Sequence, residues 1–294
     1  MKIKLYCPSC LINRAFVESQ KASDDPEIRL KSLLNSFKAI SCNTNENVTP
    51  AYLGTIRDRT IKSTSRNPDP FYEEKIISNQ RALGLLPLAQ GYIQKAENPS
   101  DKFRKACLIS IVGNAFEFGI KDYHFDYNDL PKWIENVEKD IGIDHINKIE
   151  KIAKNVDKIL FLTDNAGEIA FDKILVEQLK NMGASITVAV KAHPISNDAT
   201  LDDAKIVNMM QIADKVTTTG TDTVGLILEE CSKEFLDEYD KAELVIAKGM
   251  AHYETITEYK VKKPHALLFR VKCLSISKDL KIDLGKNIAY LIEP

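Results

Sequence analysis

The run Lys158-Ile-Leu-Phe-Leu-Thr163, continued by Asp164-Asn165-Ala166-Gly167-Glu168 and then by the segment to Met182, decides the fold. Its opening residues are a short, nearly continuous apolar run, the mark of a strand buried on both faces. The residues from Glu168 to Met182 space apolar side chains three and four apart, as in a helix packed along one side. The rhythm then repeats. Ile186 to Lys191 precedes a helix expected over 201–212, and Lys215 to Thr219 precedes one expected over 223–239. Leu244 to Ala247 precedes an expected loop, while Leu267 to Val271 and Ile288 to Ile292 read as closing strands. Apolar strands alternating with amphipathic helices predict an α/β fold with a mostly parallel sheet covered on both faces. Ligands in such sheets sit at the carboxyl ends of the strands. Chemistry is therefore expected after Thr163, Lys191, Thr219, Ala247 and Phe269.

Upstream, from Cys10 to about Lys151, helical spacing prevails, as in Leu30-Leu33-Leu34-Phe37 and Ala106-Ile109-Val112. This part reads as an N-terminal helical bundle. Asn67-Pro68-Asp69-Pro70 and Glu97-Asn98-Pro99-Ser100-Asp101 punctuate its helices. A soft boundary near Tyr127 to Pro131 divides the chain into a helical domain over 1–130 and a sheet-bearing domain over 131–294.

The formal charge is -2, so no general field draws in nucleic acid or an anionic membrane, and any anion site must be local. The apolar runs are too short to cross a bilayer and Met1-Lys2-Ile3-Lys4 opens no signal-peptide pattern, which makes a cytoplasmic protein the expectation. The cysteines are scattered apart from Cys7-Pro8-Ser9-Cys10 and are expected to be reduced. That pair is open to three roles: half of a zinc site, a redox pair, or packing at a helix start. No second C-x2-C completes a zinc site, and His124, His145, His193, His252 and His265 are dispersed.

Asp164 and Asn165 place a carboxylate and a carboxamide side by side just before a helix. Both offer hard oxygens suited to Mg²⁺ or Mn²⁺, and Gly167 permits a tight turn toward a ligand at the helix N-terminus. The alternative is helix capping. Asp198, in His193-Pro194-Ile195-Ser196-Asn197-Asp198-Ala199-Thr200, either completes the same metal sphere or caps the next helix. Thr218 to Gly225 can cradle phosphate or cap a helix. Lys248, directly after a buried strand, is hard to explain by packing, whereas a bound phosphate beside Gly249 explains it. Arg270 is a second cation in an apolar strand, open to the same role or to snorkelling from a sheet edge.

Together these residues resemble the DUF89 family of metal-dependent damage-control phosphatases. The resemblance is carried by Thr163-Asp-Asn-Ala-Gly-Glu168, Asn197-Asp-Ala-Thr200, the Lys248-Gly249 block with Tyr253-Glu254, and the Cys-x-x-Cys of the family's first subfamily. Arg66-Asn-Pro-Asp-Pro-Phe71 and Gly113-Asn-Ala-Phe-Glu-Phe118 are similar to two further family motifs in the front half. The resemblance implies a three-layer α/β/α core with a helical N-terminal part. It also implies Asp164, Asn165 and Asp198 as metal ligands, with Lys248 and the backbone at Gly249 on substrate phosphate. Arg270 stands where relatives usually have a phosphate-binding lysine. The implied cofactor is a divalent cation, Mn²⁺ or Mg²⁺ with Ni²⁺ or Co²⁺ as further options. The implied substrates are small phosphorylated metabolites such as damaged nucleotides or sugar phosphates.

This chain departs from the family pattern at Ala251 and His252, which replace a usual glycine and amide, and at Glu117, which replaces a usual aspartate. Ala251 narrows the backbone approach, and His252 can donate to phosphate and would gain charge below about pH 6.5. In the expected mechanism the cation polarises the phosphoryl group while Lys248 and Arg270 neutralise its oxygens. The nucleophile is water or Asp164, and Glu168 is a base or an orienting group. Two other classes compete: a carboxyl methyltransferase using S-adenosylmethionine, and a non-catalytic phosphometabolite-binding protein. A G-x-G turn after the first strand would favour the former, and Asp164-Asn165 stands in its place.

Overall fold

Alternate residues of the central strands bury into different cores. In β2 (Lys158–Leu162), Ile159 and Phe161 join one cluster while Leu160 and Leu162 join another. In β5 (Leu244–Lys248), Leu244 and Ile246 part in the same way from Val245 and Ala247. In β6 (His265–Arg270), Ala266 and Leu268 part from Leu267 and Phe269. Successive strand side chains point to opposite faces, so two cores on one set of strands make the sheet the middle of three layers. The computed structural model describes residues 1–115 and 126–294.

Among these residues the sheet has seven strands, completed by β1 (Ile141–Asp144), β3 (Ser185–Val190), β4 (Lys215–Thr218) and β7 (Asn287–Ile292), in the order β1-β7-β6-β5-β2-β3-β4. Strands β2 to β6 are mutually parallel, whereas β7 runs antiparallel to β6 and parallel to β1. The mostly parallel α/β/α sheet expected from the sequence is present. Strand β1 was not anticipated, because Ile141-Gly-Ile-Asp144 is a short, half-exposed edge with no apolar run to announce it.

One face is covered by α4 (Tyr72–Ile93), α5 (Pro99–Gly113), α6 (Leu130–Asn136), α7 (Ile146–Ala153), α8 (Glu168–Asn181) and α9 (Leu201–Ile206). The other face carries α10 (Lys233–Lys241), α11 (Met250–Ile256) and α12 (Leu274–Leu280). Helices α1 (Cys7–Ala22), α2 (Pro26–Asn43) and α3 (Pro50–Ser65) bury small clusters of their own, Leu11 with Ile40 and Leu53, and Ala15 with Ala22 and Ile61. The front half is helical as expected, but it divides. Phe103, Leu108 and Ala82 from α4 and α5 share a core with Phe161 and Phe171, and Leu130 is buried in the same core.

Three local expectations are corrected. No helix spans 223–239: Gly225 sits at φ 68°, where a Cβ would lie 2.5 Å from the Ala251 carbonyl oxygen. α10 starts only after Ser232, whose hydroxyl accepts from Phe235 N. The helix expected over 201–212 stops at Ile206, and Asn208 turns left-handed at φ 58°. The loop expected after Ala247 contains α11, entered through Gly249. No helix of the described residues is long and apolar enough to cross a membrane.

Candidate active site

Backbone hydrogen bonds stitch the loops after β2 and β3 together. Ala199 N donates to Asp164 O at 2.7 Å, Ala166 N donates to Asn197 O at 2.9 Å, and Asn165 pairs with Asp198 in an isolated antiparallel bridge. The two aspartates that the sequence separates by a whole helix thus come to one place. Neither is a helix cap. Gly167, at φ 78°, occupies the N-cap of α8, and Thr200 caps α9 in a capping box with Asp203. Asp164 and Asp198 instead line a cavity of about 200 Å³ between the strand ends and helices α1 and α3.

Asp164 is held from several sides. Its Oδ2 accepts from Asn114 Nδ2 at 2.8 Å and from Asn165 Nδ2 at 2.9 Å. The same two amides donate to Glu168 Oε2, each at 2.8 Å. Gly249 lies against the carboxylate so closely that a Cβ there would fall 1.9 Å from Asp164 Oδ2. Asn165 itself sits behind the cavity wall, its Oδ1 accepting from Asn197 Nδ2 at 2.8 Å.

The other sequence-derived site residues are placed differently. Lys248 is fully buried and donates to Glu168 Oε1 at 2.5 Å, Asp172 Oδ1 at 2.7 Å and Ser110 O at 2.8 Å. An ammonium has three protons, and these acceptors use them. Burial pulls the Lys248 pKa down, but the Asp172 and Glu168 carboxylates more than offset this and hold it raised. The structure therefore brings Lys248 to two buried acids rather than to the cavity. Arg270 stacks over Trp133 at 5.1 Å and donates from its side chain to Asn287 Oδ1 at 2.9 Å, while its backbone N donates to Asn114 Oδ1 at 3.2 Å. Arg270 does not line the cavity, whereas Lys272 does, and Lys272 donates to Asn114 O at 2.6 Å.

His252 is also buried, its Nδ1 2.5 Å from Lys248 O. Burial, reinforced by the charges of Lys191 and Lys248, pushes its pKa down to about 3. The expected gain of charge below about pH 6.5 is corrected: the ring stays neutral in the folded protein. The unfolded chain then binds the extra proton between its ordinary pKa and about 3, so His252 costs stability as pH falls through that window. Urea unfolding of wild type and His252→Gln should show the difference in unfolding free energy moving toward wild type as pH rises from 4 to 6.5. It should be flat above that range.

Several residues of the site were not anticipated. Asn114 carried a family motif without an assigned role. Asp172 lies one helical turn after Glu168, a buried i,i+4 acid pair that the spacing alone could have exposed as needing a cation. Glu254, Ser196, Arg14 and Arg57 line the cavity from elements far apart in sequence. Cys7 and Cys10, for which an approach to the site from the helical half was one of the options open from sequence, line it as well, together with Cys273; all three are free thiols, and burial pushes the Cys7 pKa up. Glu117 and His124 lie outside the described residues.

The donor set fits a divalent cation. Two buried carboxylates on one cavity are hard oxygen donors, and the bare backbone at Gly249 lets Asp164 sit where any side chain would collide with it. A parallel α/β sheet whose strand-end loops gather such donors beside buried cations defines a phosphate-handling enzyme. The chain belongs to the damage-control phosphatase ARMT1-like domain family, whose model matches residues 3–288. It is 31% identical to a damage-control phosphatase of Archaeoglobus fulgidus, with all of both chains covered. It is 38% identical to an uncharacterized protein of Methanocaldococcus jannaschii, over 98% of this chain and 95% of that one. The crystal structure of a DUF89 family protein from Pyrococcus horikoshii superposes with a TM-score of 0.86 at 31% identity, covering 98% of each chain. The activity class is that of a phosphatase, not of a methyltransferase.

Proposed function

We propose that the chain hydrolyses phosphate monoesters of small metabolites, damaged nucleotides or sugar phosphates among them, with Mn²⁺ or Mg²⁺ held by Asp164 and Asp198, while Asn165, the third ligand expected from the sequence, orients Asp164 from behind the cavity wall. The observation that carries this reading is the convergence of Asp164 and Asp198 on one cavity, with Gly249 pressed against the first. A divalent cation there supplies a Lewis acid for the phosphoryl oxygens and lowers the pKa of water.

The chain's own residues do the rest. Glu168 does not line the cavity; through Asn114 and Asn165 it orients Asp164, which makes it a positioning residue rather than the base. Lys248 keeps Glu168 and Asp172 from repelling one another. Lys272 puts an ammonium on the cavity wall, where it neutralises charge on the phosphoryl oxygens. Asp164 is clamped by two amides and a backbone glycine, a setting that suits a fixed ligand and leaves attack to water.

The test is turnover of an aryl phosphate and a panel of sugar phosphates and nucleotides. Hydrolysis should require added Mn²⁺ or Mg²⁺, cease with chelator and return on re-addition. Full activity in the presence of excess chelator would contradict the metal reading.

A further inference from the structure

Two guanidinium groups converge on one hydroxyl at the cavity wall. Arg57 Nη2 donates to Ser196 Oγ at 3.0 Å and Arg14 Nη2 donates to the same oxygen at 3.3 Å. All three residues line the cavity that holds Asp164 and Asp198, and Ser196 is two residues from Asp198. Ser196 is fixed in a left-handed conformation at φ 45°, its N donating to Asp58 Oδ2 at 2.7 Å. Asp58 in turn meets Lys62 Nζ at 2.8 Å, so helix α3 clamps this loop. The position is built.

Arg57 is held from behind by a buried acid. Arg57 Nε donates to Glu18 Oε2 at 2.9 Å, with both side chains buried. Burial, and next the charge of Asp58, push the Glu18 pKa up to about 8, since two buried carboxyls facing one another do not both ionise. Glu18 accepts from Arg57 Nε and leaves the Nη2 end of the guanidinium directed to Ser196 at the cavity. Guanidinium forks match the paired oxygens of phosphate and carboxylate. A hydroxyl between two forks completes such a receptor.

We propose that Arg14, Arg57 and Ser196 form a second anion site beside the hydrolytic carboxylates, so that the preferred substrates carry a second acidic group besides the phosphate that is removed. This inference rests on the phosphatase reading and narrows it to bisphosphates and phosphorylated carboxylic acids. A substrate bearing one phosphate and otherwise only hydroxyls leaves this receptor to water.

The experiment compares kcat/KM for a hexose bisphosphate, a phosphoglycerate and the matching hexose monophosphate, in wild type, Arg14→Gln and Arg14→Lys, each checked for folding by thermal melting. Wild type should prefer at least one of the two diacidic substrates. Arg14→Gln should lower that preference ratio by about ten- to a hundredfold, the weight of one charge-assisted hydrogen bond. Arg14→Lys should restore part of it. Preference for the bisphosphate assigns the site to phosphate, and preference for the phosphoglycerate assigns it to carboxylate. No preference in wild type, or equal loss on all three substrates in Arg14→Gln, overturns the inference while leaving the phosphatase reading intact. Failure of wild type to hydrolyse any ester removes the phosphatase reading itself, and this inference with it.

Discussion

Asp164→Asn is expected to lower kcat/KM for an aryl phosphate by about a thousandfold, because the cation proposed to bind there would stabilise the transition state by several kcal/mol. The substitution keeps the shape and removes the charge. It also turns an amide toward Asn114 and Asn165, which already donate to the native carboxylate, so the clamp is lost with the ligand. Asp198→Ala should act in the same direction, since Asp198 lines the same cavity and its loop is bridged to Asn165. Steady-state kinetics at saturating Mn²⁺, with far-ultraviolet circular dichroism to confirm folding, measures both. Activity within threefold of wild type in both variants would remove these residues from the chemistry.

Gly249→Ala should damage the site without touching any of its side chains. Gly249 has φ 85° and ψ 162°, a region essentially reserved for glycine, where a side chain costs about 1–3 kcal/mol in strain alone. The added methyl would also fall 1.9 Å from one Asp164 oxygen and 2.7 Å from the other. Real contacts never come so close, so either the carboxylate swings away or the entry into α11 shifts. The expected result is a loss of kcat/KM of at least about a hundredfold, together with a lower unfolding midpoint in urea. Wild-type stability with wild-type activity would mean that the close approach of Gly249 and Asp164 is not required.

The parallel sheet was legible because its strands are buried on both faces and read as unbroken apolar runs, as Ile159 to Leu162 and Leu244 to Ala247 do. The segments after β2 and β3 carry Asp164 and Asp198, which the strand-end rule picks out from sequence. What the sequence could not convey was distance across the fold. Lys248 follows a buried strand and so was read as a phosphate ligand, but its partners Glu168 and Asp172 are contributed by a helix whose angle on the sheet only packing sets. Arg270 and Lys272 look interchangeable in sequence, yet Trp133 and Asn287 take the first and leave the second at the cavity. Strand β1 carries too little apolar surface to be read as a strand. Arg14 and Arg57 meet Ser196 only because α1 and α3 close over the strand ends, a contact between residues more than a hundred positions apart.

The departures from the family pattern also look different in three dimensions. His252 faces Lys248 O and a buried interior and does not line the cavity. Ala251 does line the cavity, and its carbonyl oxygen is what confines Gly225. Of the two, Ala251 is the residue placed to influence substrate choice.

The proposed hydrolysis requires a divalent cation held between Asp164 and Asp198. Calorimetric titration of Mn²⁺ into metal-free wild type, Asp164→Asn and Asp198→Ala tests it most directly. One Mn²⁺ per wild-type chain is predicted, with affinity weakened by about a hundredfold or more in each variant. Equal Mn²⁺ affinity in all three proteins, or no binding to wild type, would contradict it.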